Sequence, residues 1–90
     1  MRWEIKFEKK AQKEFDKIPV QYRERILAIL PAIAQNPFVG KKLDGELNGL
    51  YSYRVWPYRI IYKVYKQLLV IIVVRIGHRQ GAYKWVNHYG

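Results

Sequence analysis

Between Leu50 and Gly77 the chain holds three β-rich runs in succession. "LYSYRVW", "YRIIYKVY" and "LLVIIVVRIG" are runs of β-branched and aromatic residues, broken at Pro57 and again near Lys66 and Gln67. Such side chains crowd a helix but pack well on a pleated sheet, so three consecutive strands are expected. Breaks this short suit hairpins, which makes the three an antiparallel meander. The last run is apolar at both parities from Leu68 to Val74, as in a central strand covered on each face, or covered on one and shielded on the other by long side chains.

The first half reads differently. Residues 2–7, "RWEIKF", set Trp3, Ile5 and Phe7 on one face and Arg2, Glu4 and Lys6 on the other, the period of a half-buried strand. "EKKAQKEFDKI" then places Ala11, Phe15 and Ile18 at helical spacing, and Pro19 can start a second helix, where its missing N–H removes no bond. Tyr22, Ile26, Ile29, Leu30 and Ile33 form the apolar stripe of that helix. Pro31 is expected to bend its last turns, and Asn36 and Pro37 to end it. "FVGKKLDGELNG" has the glycines, Asp and Asn of a loop, and "GAYKWVNHYG" has room for no more than a helical turn or a tail. The expected fold is α+β, in the order β-α-α-β-β-β, with a helical hairpin packed on an antiparallel sheet.

The chain's 90 residues suit a single domain spanning residues 1–90, and a hydrophobic fraction of 50% can supply a packed core. With no cysteine, neither a disulfide framework nor a thiolate metal site is open to it, and a reducing compartment is acceptable. Two histidines without a nearby carboxylate do not make a metal site, and no cofactor is expected. The N-terminus lacks the apolar core of a signal peptide, and "LLVIIVV" is far too short to span a bilayer. A soluble, cytoplasmic protein with no membrane partner is the expectation.

Charge narrows the function further. The net charge is +10, and all seven acids (Glu4, Glu8, Glu14, Asp16, Glu24, Asp44 and Glu46) precede residue 47. After it the charged residues are Arg54, Arg59, Lys63, Lys66, Arg75, Arg79 and Lys84, all cations. A solvated face normally mixes signs, so an acid-free half points to a polyanion partner. Strand parity then groups Ser52, Arg54 and Trp56; Arg59, Ile61, Lys63 and Tyr65; and Arg75, Gly77 and Arg79. If the helices cover the face bearing Tyr51, Tyr53, Val55, Ile60, Tyr62 and Val64, then Arg54, Arg59 and Arg79 point from the opposite face toward one concave, cationic floor with aromatic edges.

"KLDGELNGLYSYRVWPYRIIYKV" followed by "LLVIIVVRIGHRQGAYK" resembles the RelE/ParE superfamily of toxins from prokaryotic toxin–antitoxin modules, most of all its RelE branch. There a strand carrying "YRI.Y" precedes a strand ending in "GHR" and then a tyrosine, and the resemblance covers nearly the whole chain. It implies a microbial-ribonuclease-like fold and a toxin that enters the ribosomal A site and cleaves the mRNA there without a metal. It also implies a cognate antitoxin partner in a hetero-oligomeric complex.

By the same resemblance, Arg54 corresponds to a strand-two cation, Arg59 to the arginine of "YR", Arg79 to the arginine after "GH", and Tyr83 to the downstream tyrosine. Arg59 suits a phosphorane dianion because its planar fork stays charged and can hold two phosphate oxygens. Arg79 can protonate the leaving 5′-oxygen or only clamp phosphate, and Tyr83 can serve as base, stack on a flipped base, or simply pack the C-terminal turn. His78 alternates away from Arg79 toward the sheet's other layer, where a structural imidazole competes with a catalytic one. Ser52 stands where ribonucleolytic relatives have a lysine, so that phosphate contact is either missing or supplied by Lys63 or Lys41. Two alternatives stay open: a ParE-type toxin that inhibits DNA gyrase, and a non-toxic nucleic-acid-binding module stacking bases on Trp56, Tyr65 and Trp85.

Overall fold

The computed structural model describes residues 3–43 and 49–78. Strand β1 (Glu4–Phe7) leads into helices α1 (Lys9–Asp16) and α2 (Val20–Gln35) and a 3-10 turn at Pro37–Val39. Four strands complete the order: β2 (Lys41–Lys42), β3 (Leu50–Val55), β4 (Tyr58–Tyr65) and β5 (Val70–His78).

The element boundaries have local causes. Pro19 occupies the cap of α2, where a backbone N–H would have no helical partner. Asn36 closes the helix, and its side chain accepts a hydrogen bond from the Phe38 N–H at 3.2 Å, which starts the 3-10 turn. Pro31 does not stop α2, which runs on to Gln35. The acceptor that Pro31 leaves unused is the Leu27 carbonyl one turn back, and Leu27 is 51% exposed, so water can take its place.

The sheet order is β1-β5-β4-β3-β2. Strands β2 to β5 pair antiparallel, as their turns require, but β1 pairs parallel with β5, so the sheet is mixed rather than wholly antiparallel. No hairpin joins β1 to β5; two helices and three strands intervene, and the direction of that pairing is set by where the chain returns. The segment read as a loop also contributes a strand. Lys41 and Lys42 pair with Ser52 and Tyr51 and form the two-residue β2.

The helices cover the face that parity assigned to them. Ala11, Ile18, Ile26 and Ile33 bury against Val55, Ile60, Tyr62, Ile71, Val73 and Ile76, with Tyr51, Tyr53 and Val64 packed at the margin. Val73 and Ile76 both face the helices although they are three apart. A β-bulge explains this: Tyr62 pairs with Val73 but Ile61 with Arg75, which leaves Val74 as an extra residue in β5. Ile26 is fully buried, and Ile26→Val is expected to cost about 0.5–1.5 kcal/mol in urea unfolding without altering the fold.

The opposite face departs from a purely cationic floor. Leu43, Leu50, Ile61 and Val74 are buried outside the helix-side core cluster, and the cations share that face with this apolar strip. Among the described residues, no helix is long and apolar enough to cross a membrane.

Candidate functional site

Cross-strand register turns the parity groups into rows. Lys41 faces Ser52, and Ser52 faces Ile61; one row further, Arg54 faces Arg59, and Arg59 faces Gly77. Facing residues share a side of the sheet, so Lys41, Ser52, Arg54 and Arg59 all stand on the side away from the helices. Together with Gly40 they line a cavity of about 290 Å³, and none of the described residues lining it is acidic. Gly77 presents no side chain across from Arg59.

Like charges directly opposed in an antiparallel pair cost about 0.2–1 kcal/mol relative to neutral residues. Arg54 and Arg59 are such a pair. An anion seated between them converts the repulsion into two attractions, and a phosphate suits the fork geometry of both. Arg54 is exposed and Arg59 half-buried, so one can meet a ligand as it arrives while the other binds it in a less solvated setting.

The remaining candidates lie elsewhere. Lys63 faces Leu50, two rows from Arg59, and its Nζ sits 5.3 Å from the Tyr65 ring centre; it does not line the cavity. His78 faces Tyr58 on the helix side, with ring centroids 6.1 Å apart, in the layer parity expected but at an exposed position. Arg79 and Tyr83 lie outside the described residues, as does Trp85.

Two contributors escaped sequence reasoning. Glu14 of α1 pairs with Arg75 Nε and accepts the Ile76 N–H at 3.0 Å. Strand β1 pairs only as far as Val73, so Glu14 covers the part of the β5 edge that β1 leaves open and compensates one cation of the acid-free half. No local signal links residues 61 apart.

The second is Tyr62. Its ring stacks on Tyr51 with centroids 5.7 Å apart, and its hydroxyl donates to the Pro37 carbonyl at 2.8 Å while accepting the Gly40 N–H at 3.1 Å. One phenol thus pins both ends of the turn that leads into β2. Gly40 has an ordinary φ of −74°, so its role is space: a Cβ there would collide with the Tyr62 hydroxyl and approach the Ser52 carbonyl oxygen to 3.0 Å. "FVGKK" carried that signal in a glycine wedged between apolar and basic residues.

Burial pushes the Tyr62 phenol up to about 12, with the Gly40 N–H pulling it partly back. A raised folded value favours the protonated form, so this contribution to stability is whole below the ordinary tyrosine value of about 10 and is lost as pH rises toward 12. Denaturant unfolding across that window is expected to show a steeper loss of stability in the wild type than in Tyr62→Phe. Equal slopes would remove Tyr62 as the cause.

Comparison with known proteins agrees with this architecture. Residues 5–83 match the family described as the ParE toxin of type II toxin–antitoxin system, parDE. Toxin RelG of Mycobacterium tuberculosis is 30% identical over 90 residues, covering 93% of this chain and 99% of that protein. The toxin–antitoxin complex RelBE2 from Mycobacterium tuberculosis matches with a TM-score of 0.82 at 25% identity, over 88% of this chain and 100% of that one. The archaeal RelE–RelB complex from Pyrococcus horikoshii matches with a TM-score of 0.77 at 27% identity, over 91% of this chain and 100% of that one. A family match over most of the chain, joined to a mixed sheet whose open face gathers cations from an acid-free half, leads to one conclusion: the chain belongs to the ParE toxin family within the RelE/ParE superfamily and is a toxin of a type II toxin–antitoxin system.

Proposed function

We propose that this toxin is a ribosome-dependent mRNA endonuclease that cuts in the A site by metal-independent attack of the ribose 2′-oxygen. The observation that carries the reading is the facing pair Arg54 and Arg59, beside Lys41 and Ser52 in a pocket without acidic lining among the described residues. In the reaction the 2′-oxygen bonds to phosphorus as its proton leaves, and the bond from phosphorus to the 5′-oxygen breaks as that oxygen gains a proton. The products are a 2′,3′-cyclic phosphate and a free 5′-hydroxyl. Arg59 stabilises the pentacoordinate dianion, Arg54 and Lys41 hold non-bridging oxygens, and Tyr83 and Arg79 move the protons.

The ribosome orients the mRNA, so free RNA is cut poorly. The solved relatives include toxin–antitoxin complexes, and a net charge of +10 suits an antitoxin that brings acidic residues to the basic face. Gyrase inhibition is the second reading, favoured by Ser52 at the lysine position and by the ParE description of the matching family.

Programmed ribosomes carrying bound mRNA separate the two. Primer extension after addition of the toxin should show a new 5′ end in the A site, absent on free mRNA. An uncut message together with blocked DNA supercoiling would replace the nuclease reading with the gyrase one.

A further inference from the structure

We propose that Tyr62 is a positioning residue for the phosphate site, and that Lys41, which its clip holds in place, supplies from β2 the cation that Ser52 leaves out of β3. The inference rests on the reading of the pocket as a phosphate site.

The geometry runs through three links. Tyr62 belongs to the helix-side core and is fully buried, yet its hydroxyl reaches the turn at the sheet's edge. Stacking on Tyr51 fixes the ring's direction, and the bonds to Pro37 and Gly40 then fix the backbone entering Lys41. Lys41 stands directly across from Ser52, so its ammonium can serve the row next to Arg54 and Arg59.

The clip matters because β2 is weak. It has two residues, it lies at the end of the sheet, and Lys41 is exposed on a long flexible stem. A cation on a wandering edge pays ordering entropy each time it binds phosphate, whereas one on a pinned strand has given up that freedom already. Consecutive residues of a strand point to opposite faces, so holding this register sends Lys41 to the cationic pocket and Lys42 to the Tyr51 side. Without the clip, a slip by one residue would exchange them.

The test uses the intact protein and a fluorescein-labelled single-stranded DNA oligonucleotide, which lacks the 2′-hydroxyl and cannot be cut. Anisotropy titrations between about 50 and 200 mM salt yield the slope of log K against log salt, which on a single strand falls by ~0.7 for each phosphate the protein ceases to neutralise. Lys41→Gln is expected to flatten the slope by ~0.7, Tyr62→Phe to flatten it similarly with Lys41 still present, and the double variant to add nothing further. Ile26→Val, which weakens the core alone, should leave the slope unchanged. Tyr62→Phe with lowered stability and a wild-type slope would overturn the proposal, since a merely structural tyrosine gives that result.

Should Tyr62→Phe not fold, the wild type still decides by NMR. Support is a Gly40 amide protected from exchange and Lys41 resonances that shift on adding the oligonucleotide; an unprotected amide or an unshifted lysine overturns the proposal. If Arg54→Gln and Arg59→Gln flatten the slope while the Lys41 and Tyr62 variants do not, this inference alone falls. If no variant changes it, the phosphate reading of the pocket falls as well.

Discussion

Arg59→Gln is expected to lower A-site cleavage by roughly ten- to a thousand-fold, the usual effect of removing one preorganised partner of the transition-state charge. The effect on the fold is a balance of two terms, because Arg59 also holds an interaction within the structure. Arg59 faces Arg54 across the β3–β4 ladder, and a neutral glutamine relieves a like-charge contact worth about 0.2–1 kcal/mol. Activity is therefore expected to fall far out of proportion to any change in stability. That pattern distinguishes a cation kept for a ligand from one kept for the sheet. Primer extension on programmed ribosomes reads the first and a thermal melt the second. A variant that cleaves like the wild type, or that loses activity only because it unfolds, would remove Arg59 from the site. Phosphate or a short oligonucleotide should raise the wild-type Tm more than the variant's, because binding to the folded state alone stabilises it.

Gly40→Ala carries the second large effect, and here two terms compete. At φ −74° an alanine is conformationally acceptable, and restricting the unfolded chain would by itself stabilise the protein by about 0.4–1 kcal/mol. Against this, the new Cβ meets the Tyr62 hydroxyl and the Ser52 carbonyl oxygen. Neither can yield cheaply. The hydroxyl is held by Pro37 on a stacked, buried ring, and the Ser52 carbonyl belongs to a strand paired on both sides. Overpacking of this kind costs about 1–3 kcal/mol, so the space term wins. In a domain of this size each kcal/mol lowers Tm by about 4–8 °C. Differential scanning calorimetry measures the shift directly, and an unchanged or raised Tm would show that the turn relaxes away from Tyr62.

Much of the fold was legible because its signals are local. Period-two alternation in "RWEIKF", the helical spacing of Ala11, Phe15 and Ile18, and the turn at Pro57 each depend on neighbours within a few residues. Parity along β3 and β4 separated the two faces and put Arg54 and Arg59 together on one of them; packing shows that the helices cover the other. The direct opposition of the two arginines needed only one further fact, the two-residue turn that pairs Val55 with Tyr58. From sequence, Lys41 and Lys63 are equal substitutes for the missing lysine. The register across from Ser52 puts Lys41 in the pocket, and the same register keeps Lys63 two rows from Arg59.

The sequence by itself determined the order of the two helices and of every strand but β2, the division of the sheet into two faces and the concentration of positive charge in an acid-free second half, since all three follow from periodicity and composition. Tertiary structure alone decided that β1 runs parallel to β5, that Glu14 compensates Arg75, and that Tyr62 holds the turn before Lys41. The partners in the three hydrogen bonds behind the last two lie 61, 25 and 22 residues apart. No local pattern encodes such contacts. They exist because packing the helices on the sheet leaves an open edge beside Glu14 and a buried phenol beneath a glycine, and each polar group takes the partner that burial leaves within reach.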